Sequence, residues 1–214
     1  MNNFLVFIGG WSRDKSSYFK LIKSKPEDLE FHFITPKAID LKDIRSSLGD
    51  FLKQNKIEKA DIVGHSVGGA VAMEFTADSP SKVKRLLLID SEGVPGSEKF
   101  QELFVNFAKT QVKHGHRKIT ENAKSVLRLF KSPVSGLRFA RHAQYSDIRE
   151  KLKKIDTPTL ILWGEKDTLT PLWQGEIIKG GIRGSKLVVL KNMDHDWPLH
   201  KPELFWENYI RRLM

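Results

Sequence analysis

The sequence predicts an α/β protein: a doubly wound, mostly parallel sheet of six strands with helices on both faces. Three observations carry this. Six short runs rich in strand formers, at residues 4–8, 30–34, 60–63, 85–89, 159–163 and 186–190, alternate with stretches of helical periodicity. Several of these runs are hydrophobic almost without interruption, the pattern of a strand covered on both faces. The chemically distinctive residues fall just past their C-terminal ends, where a parallel sheet keeps its functional loops: Gly9-Gly10-Trp11, Ser66, Asp90, Gly164 to Asp167 and Asn192 to His195.

Taken in order, the run 4–8 ends at Gly9-Gly10, a tight exit loop, and residues 18–22 have helical character. The run E-F-H-F-I at 30–34 stops at Thr35-Pro36. Asp40 can cap a helix whose apolar positions Ile44, Leu48, Phe51 and Leu52 keep helical spacing. The third strand leads into G-H-S-V-G at 64–68 and a helix of small residues that stops at Asp78-Ser79-Pro80. After the fourth strand the alternation breaks. Phe100, Leu103, Phe104 and Phe107 form one amphipathic stripe, and Ile119, Ala123, Val126, Leu127 and Phe130 a second, with no strand-like run until residue 159. This predicts a helical insertion over 97–147 between two parts of one core, 1–96 and 148–214. A helix near 173–178 ends at the glycines 180, 181 and 184, and Pro202 opens a terminal helix.

With 214 residues and 40% hydrophobic content the chain can bury a substantial core. It contains no cysteine, which excludes a disulfide framework, thiol catalysis and zinc–thiolate sites. The first residues carry no basic region before their short apolar run, and no run reaches membrane-spanning length. The expectation is a cytoplasmic protein without a membrane span. Charge is uneven: residues 97–154 hold 14 Lys and Arg against 5 Asp and Glu, so nearly all of the net +10 belongs to that segment. Such asymmetry fits an anionic partner, and equally a Lys-rich solvated helix face. Nucleic acid is not expected, because no recognised module or aromatic–basic interleaving accompanies the charge.

The G-x-S-x-G stretch has the form of a nucleophile elbow, a sharp strand-to-helix turn that lifts the Ser66 hydroxyl above a sheet. Its glycines let strand and helix approach closely. A serine hydroxyl is a weak nucleophile and needs a base that is itself oriented by a third group. Of seven histidines, only His195 sits in the loop directly after the last strand. Asp167, in L-I-L-W-G-E-K-D-T-L-T-P, leads as the acid, and Asp90 at the end of the fourth strand competes with it. Asp194 and Asp196 are too close in sequence to His195 to orient its ring easily. An oxyanion needs two preorganised N–H donors. Val67, immediately after the serine, offers one, and Trp11, in the G-G-W-S loop after the first strand, offers the other.

These four motifs together resemble the α/β-hydrolase superfamily, in particular its small lidded serine esterases. That group has a His-Gly-Trp oxyanion loop, a G-x-S-x-G elbow, a W-G-x-x-D acid loop and a base loop running into a helix. The resemblance covers the chain outside the insertion. It implies that His195 is the base, that the order Ser66, Asp167, His195 is the family's order, and that 97–147 is a lid. Phe100, Phe104, Phe107, Leu127 and Phe130 would then line an acyl pocket. The chain departs from the family at three points. Gly9 replaces the oxyanion-loop histidine, removing a hydrogen bond that steadies that loop. The residues before His195 are N-M-D, without the common glycine. No sequence precedes the first strand to form the family's two N-terminal strands, so the sheet should be reduced to six parallel strands.

The function expected is therefore a serine hydrolase cleaving a small carboxylic ester or thioester, with no metal or cofactor. The basic segment points to an anionic or carrier-linked acyl group, with an acidic acyl-carrier protein as partner. Carbon–carbon bond hydrolysis, a lyase reaction, perhydrolysis and a non-catalytic binding role on the same fold stay open.

Overall fold

The structure is a computed structural model that describes residues 3–11, 13–35, 41–95 and 147–213. Its described elements run β1 (Asn3–Ile8), α1 (Phe19–Lys23), β2 (Leu29–Ile34), α2 (Leu41–Gln54), β3 (Ala60–His65), α3 (Val67–Asp78), β4 (Val83–Ile89), α4 (Arg149–Leu152), β5 (Thr159–Gly164), α5 (Leu172–Gly181), β6 (Lys186–Leu190), α6 (Trp197–His200) and α7 (Pro202–Leu213). All but Asp147 of the expected insertion lies outside the described residues, as do Phe100, Phe104, Phe107, Leu127 and Phe130, and the proposed cap at Asp40.

The six strands form one sheet in the order β2-β1-β3-β4-β5-β6, and every neighbouring pair is parallel. Among the described residues the sheet is thus six-stranded and all-parallel, as expected from the sequence. The order also explains where a site can form. From β1 the chain moves outward to β2, then returns to place β3 on the other side of β1. Loops leaving β1 and β3 therefore diverge, opening a crevice between them at their C-terminal ends. Those two loops are Gly9-Gly10-Trp11 and the turn at Ser66.

Near-continuous apolar strands follow from burial on both faces. One face presents Val6, Ile8, Ile62, Leu86, Leu88, Ile161 and Trp163 to the buried side of α2, α3, α4 and α5. The alternate residues Leu5, Phe7, Val63, Leu87, Ile89, Leu160 and Leu162 meet α1, α6 and α7, where Trp197, Phe205, Trp206 and Tyr209 supply most of the volume. Helix α3 is buried over most of its length, with the sheet on one side and other elements on the rest, and only Glu74, Ala77 and Asp78 leave that cover. None of the described helices is long and apolar enough to cross a membrane.

One polar group interrupts this core far from the crevice. Asp61, at the start of β3, is 1% exposed and accepts from Arg85 Nε on β4 (2.8 Å), from the Arg85 terminal nitrogen and from the Tyr209 hydroxyl (2.6 Å). The arginine also lies over the Tyr209 ring, 5.3 Å from its centroid. The pair pins α7 to the sheet. Substituting Asp61→Asn leaves the part-buried guanidinium without its counter-charge, and the expected cost is about 1.5–3 kcal/mol of unfolding free energy. Urea denaturation would measure it, and a loss under about 1 kcal/mol would mean that the pair contributes no more than a surface one.

Candidate active site

Strand β3 ends at His65, and α3 begins at Val67, so a single residue makes the whole reversal. That residue, Ser66, has φ 57° and ψ −125°, a region that side-chain-bearing residues seldom occupy. The turn closes only because its neighbours lack a Cβ. One added at Gly64 would sit 2.4 Å from the Gly68 carbonyl oxygen, and one at Gly68 would sit 2.3 Å from the Ile8 carbonyl oxygen. The second contact is the more telling, since it presses the end of β1 and its exit loop against the first turn of α3. The Ser66 N–H donates to the Ile89 carbonyl (3.0 Å), and its own carbonyl accepts from the Gly69 and Glu92 N–H groups (2.8 and 3.0 Å). As the first residue of α3, Val67 has one of the amides that a helix leaves without an intrahelical acceptor. Trp11, half-buried, follows Gly10 in the turn after β1.

The loops after β5 and β6 bring the acid and base candidates together. His195 Nδ1–H donates to Asp167 Oδ2 over 2.7 Å, with the histidine 6% exposed and the aspartate 6%. Asp167 is held on all sides: Oδ1 accepts from the Leu169 and Thr170 N–H groups (2.8 and 3.0 Å), and Oδ2 also accepts from the Thr170 hydroxyl (2.7 Å). Four donors fill the lone-pair directions of the carboxylate and fix its plane. The His195 ring lies 5.0 Å, centroid to centroid, from that of His65, the residue before Ser66, which places the base candidate beside the turn.

Asp90, the competing acid, takes a different position. It is fully buried at φ 40°, and its Oδ1 accepts from the Gly164 N–H at the end of β5 (2.7 Å) rather than from His195. Its backbone carbonyl lies 3.1 Å from the Thr170 hydroxyl oxygen, whose single hydrogen goes to the nearer Asp167 Oδ2. Burial, reinforced by the nearby charge of Asp167, pushes the Asp90 carboxyl well above the usual carboxylate range despite the opposing pull of His195. Burial also opposes a charge on His195, but the Asp167 charge and hydrogen bond outweigh it and raise the imidazole to about 9. The flanking acids face elsewhere: Asp196 forms a buried ion pair with Arg13 (2.7 Å), and Asp194 approaches His200 (3.7 Å).

Chemically, the arrangement offers a strained serine at a helix N-terminus, an imidazole oriented by a carboxylate, and backbone amides on two facing loops. Those are the parts of a nucleophilic acyl-transfer site. A profile described as the Alpha/beta hydrolase family matches residues 10–207. The chain belongs to the α/β-hydrolase family. Among curated relatives of this hydrolase, a pimeloyl-[acyl-carrier protein] methyl ester esterase of Neisseria meningitidis serogroup A is 29% identical, the alignment covering 94% of this chain and 73% of the relative. A monoacylglycerol lipase of Xenopus laevis is 24% identical over 92% of this chain and 71% of its own. Among solved structures, a bromoperoxidase from Bacillus anthracis superposes with a TM-score of 0.81 at 17% identity, covering 98% of this chain and 91% of that one. At that identity the superposition speaks for the fold alone.

Several groups around the α/β-hydrolase site are not evident from sequence. Tyr18 is one: its hydroxyl accepts from the Gly10 N–H (3.0 Å), so the loop that lost a steadying histidine at position 9 is steadied by a tyrosine from the chain ahead of α1. Thr170 is another, and Arg13 a third. Only the D-T-L-T-P spacing hinted at any of them, since a hydroxyl three residues after an aspartate readily closes a local turn.

Proposed function

We propose that this hydrolase is a serine enzyme that cleaves a small carboxylic ester or thioester through an acyl-enzyme. The observation that carries the reading is the 2.7 Å His195–Asp167 hydrogen bond standing beside a serine strained into the turn between β3 and α3. In the first step Ser66 Oγ attacks the carbonyl carbon while His195 Nε2 takes its proton, and Asp167 holds the ring with Nδ1–H turned away from the serine. The negative charge that develops on the carbonyl oxygen is met by the Val67 and Trp11 N–H groups. Collapse expels the alcohol or thiol, which receives the proton from His195. A water then adds to the acyl-serine with His195 again as base, releasing the carboxylic acid and restoring the serine.

The substrate reading rests on charge and kinship. The segment 97–154 is strongly basic, and the relatives named above include an esterase whose name specifies a carrier-linked acyl ester. An anionic or carrier-linked acyl group, brought by an acidic carrier, satisfies both. The test compares neutral acyl esters with anionic and carrier-protein-linked esters of the same chain length over a range of salt. The anionic substrates should have the higher kcat/KM at low salt, with the advantage shrinking as ionic strength shortens the Debye length from about 10 Å at 0.1 M. Equal rates that ignore salt would remove the anionic-substrate reading and leave the hydrolase one standing.

A further inference from the structure

A chain of buried hydrogen bonds runs beneath the candidate site without belonging to the triad. The Gly10 N–H donates to the Tyr18 hydroxyl oxygen (3.0 Å), that hydroxyl meets His65 Nδ1 (2.6 Å), and His65 Nε2 meets the main-chain carbonyl of His195 (3.0 Å). Tyr18 and His65 are 0% and 1% exposed. The proton positions follow from chemistry. A carbonyl can only accept, so Nε2 carries the hydrogen, and Nδ1, left bare on a neutral ring, must accept from the tyrosine. Each hydrogen has one acceptor, and the relay has one direction.

We infer that Tyr18 and His65 are positioning residues that lock the loop after β1 to the loop of the catalytic base through the elbow. The three loops concerned come from β1, β3 and β6, and no two of them are neighbours in sequence. His65 is the last residue of β3 and precedes Ser66, so its ring is referenced to the nucleophile itself. At one end it fixes the carbonyl of His195, which limits how far the base can rotate or withdraw. At the other, the tyrosine oxygen holds the Gly10 amide, one peptide before the Trp11 N–H assigned to the oxyanion. A peptide plane whose neighbour is anchored cannot swing its N–H out of the crevice without breaking that bond.

The groups facing His65 explain why it stays in the required form. Burial disfavours its charged state first, the His195 ring next to it adds to that, and Arg13 acts in the same direction. Asp196 and the His195 carbonyl pull the other way and lose, leaving the His65 imidazole at about 3. The Tyr18 hydroxyl is pushed up, mainly by burial, and so keeps the proton that it donates. The Arg13–Asp196 pair sets equal and opposite charges beside the relay. A second positive charge at His65 would take away the acceptor for Tyr18 and repel a protonated His195 during turnover.

The catalytic consequence rests on the serine-hydrolase reading; the relay itself does not. The experiment therefore reads both, on the full chain and on Tyr18→Phe, which keeps the ring and removes only the hydroxyl. With p-nitrophenyl butyrate and a fluorophosphonate probe, Tyr18→Phe should lower kcat and the labelling rate by about tenfold to a hundredfold. That is less than outright loss of an oxyanion donor. KM should change by less than about twofold. An unchanged kcat, or kcat and KM worsening together with a lowered melting temperature, would reduce Tyr18 to a packing residue. Ring-nitrogen NMR of the histidines gives the second readout. His65 should be protonated at Nε2 and bare at Nδ1, without titrating between about pH 5 and 8. A titrating His65, or one protonated at Nδ1, overturns the relay. If the wild-type chain neither turns over the ester nor is labelled at Ser66, the hydrolase reading fails, and the NMR result alone decides the relay.

Discussion

Substituting Ser66→Ala is expected to lower kcat toward acyl esters by about 10⁴- to 10⁶-fold and to abolish fluorophosphonate labelling, with little change in KM. The reasoning is local. Alanine keeps the Cβ that the elbow already accommodates, so the Gly64 and Gly68 contacts, the helix start and the three backbone hydrogen bonds of residue 66 remain as they are. Only Oγ is lost. What survives is the oriented imidazole and the two amides proposed to meet the oxyanion, which can still assist direct attack by water, and that residue of activity sets the floor. Labelling by mass spectrometry is the cleaner measurement, because it identifies the modified residue. Labelling that persists at another site, or undiminished turnover, would mean that Ser66 is not the nucleophile.

The second large effect concerns the acid. Asp167→Asn should reduce kcat by about 10⁴-fold while leaving the fold intact. The Leu169 and Thr170 amides demand an acceptor, so they will keep the amide oxygen of the new side chain on their side, as they now keep Oδ1. Its NH₂ then faces His195 Nδ1 and forces the imidazole into the tautomer with its hydrogen on Nε2, which cannot take a proton from the serine. The pH profile should move as well. A general base must be neutral, so wild-type kcat/KM should rise with pH toward the raised His195 value of about 9. Without the carboxylate that raises it, the imidazole loses its proton at lower pH, and the limb of the residual activity shifts to the acid side. Asp90→Asn serves as the contrast. Its Oδ1 accepts from Gly164 rather than from His195, so an amide oxygen can replace it, and kcat should stay within about tenfold of wild type. If Asp90→Asn proves the more damaging substitution, the acid has been assigned to the wrong strand end.

Much of this architecture can be read in the chain itself because burial on two faces leaves a simple mark. Ile62-Val63, Leu86 to Ile89 and Leu160 to Trp163 have no polar face to interrupt them, and charged residues, glycine or proline set their ends. The elbow is legible for a related reason: a turn this tight tolerates few sequences, and Gly64 and Gly68 have no substitutes at contacts of 2.4 and 2.3 Å. The two short helices α4 and α6, four residues each, leave too little periodicity to be foreseen. Side-chain partnerships are harder still. Arg13 meets Asp196 across 183 residues, and Tyr18 meets His65 across 47, so neither leaves a local spacing to detect. The elbow histidine illustrates the limit. Nothing nearby in sequence says that a tyrosine hydroxyl and the carbonyl of His195 wait for its two nitrogens.

The backbone of Ser66 carries a further implication, for how such a chain persists. A non-glycine residue held at φ 57° and ψ −125° costs the folded state about 1–3 kcal/mol, and every copy bears that cost whether or not it meets a substrate. Folded proteins have only about 5–15 kcal/mol of net stability, so the fraction committed to one residue is large. Glycine would relieve the strain at once. A descendant retained merely as a scaffold would gain stability by making that exchange, so the serine marks the point where selection for reactivity and selection for stability pull in opposite directions.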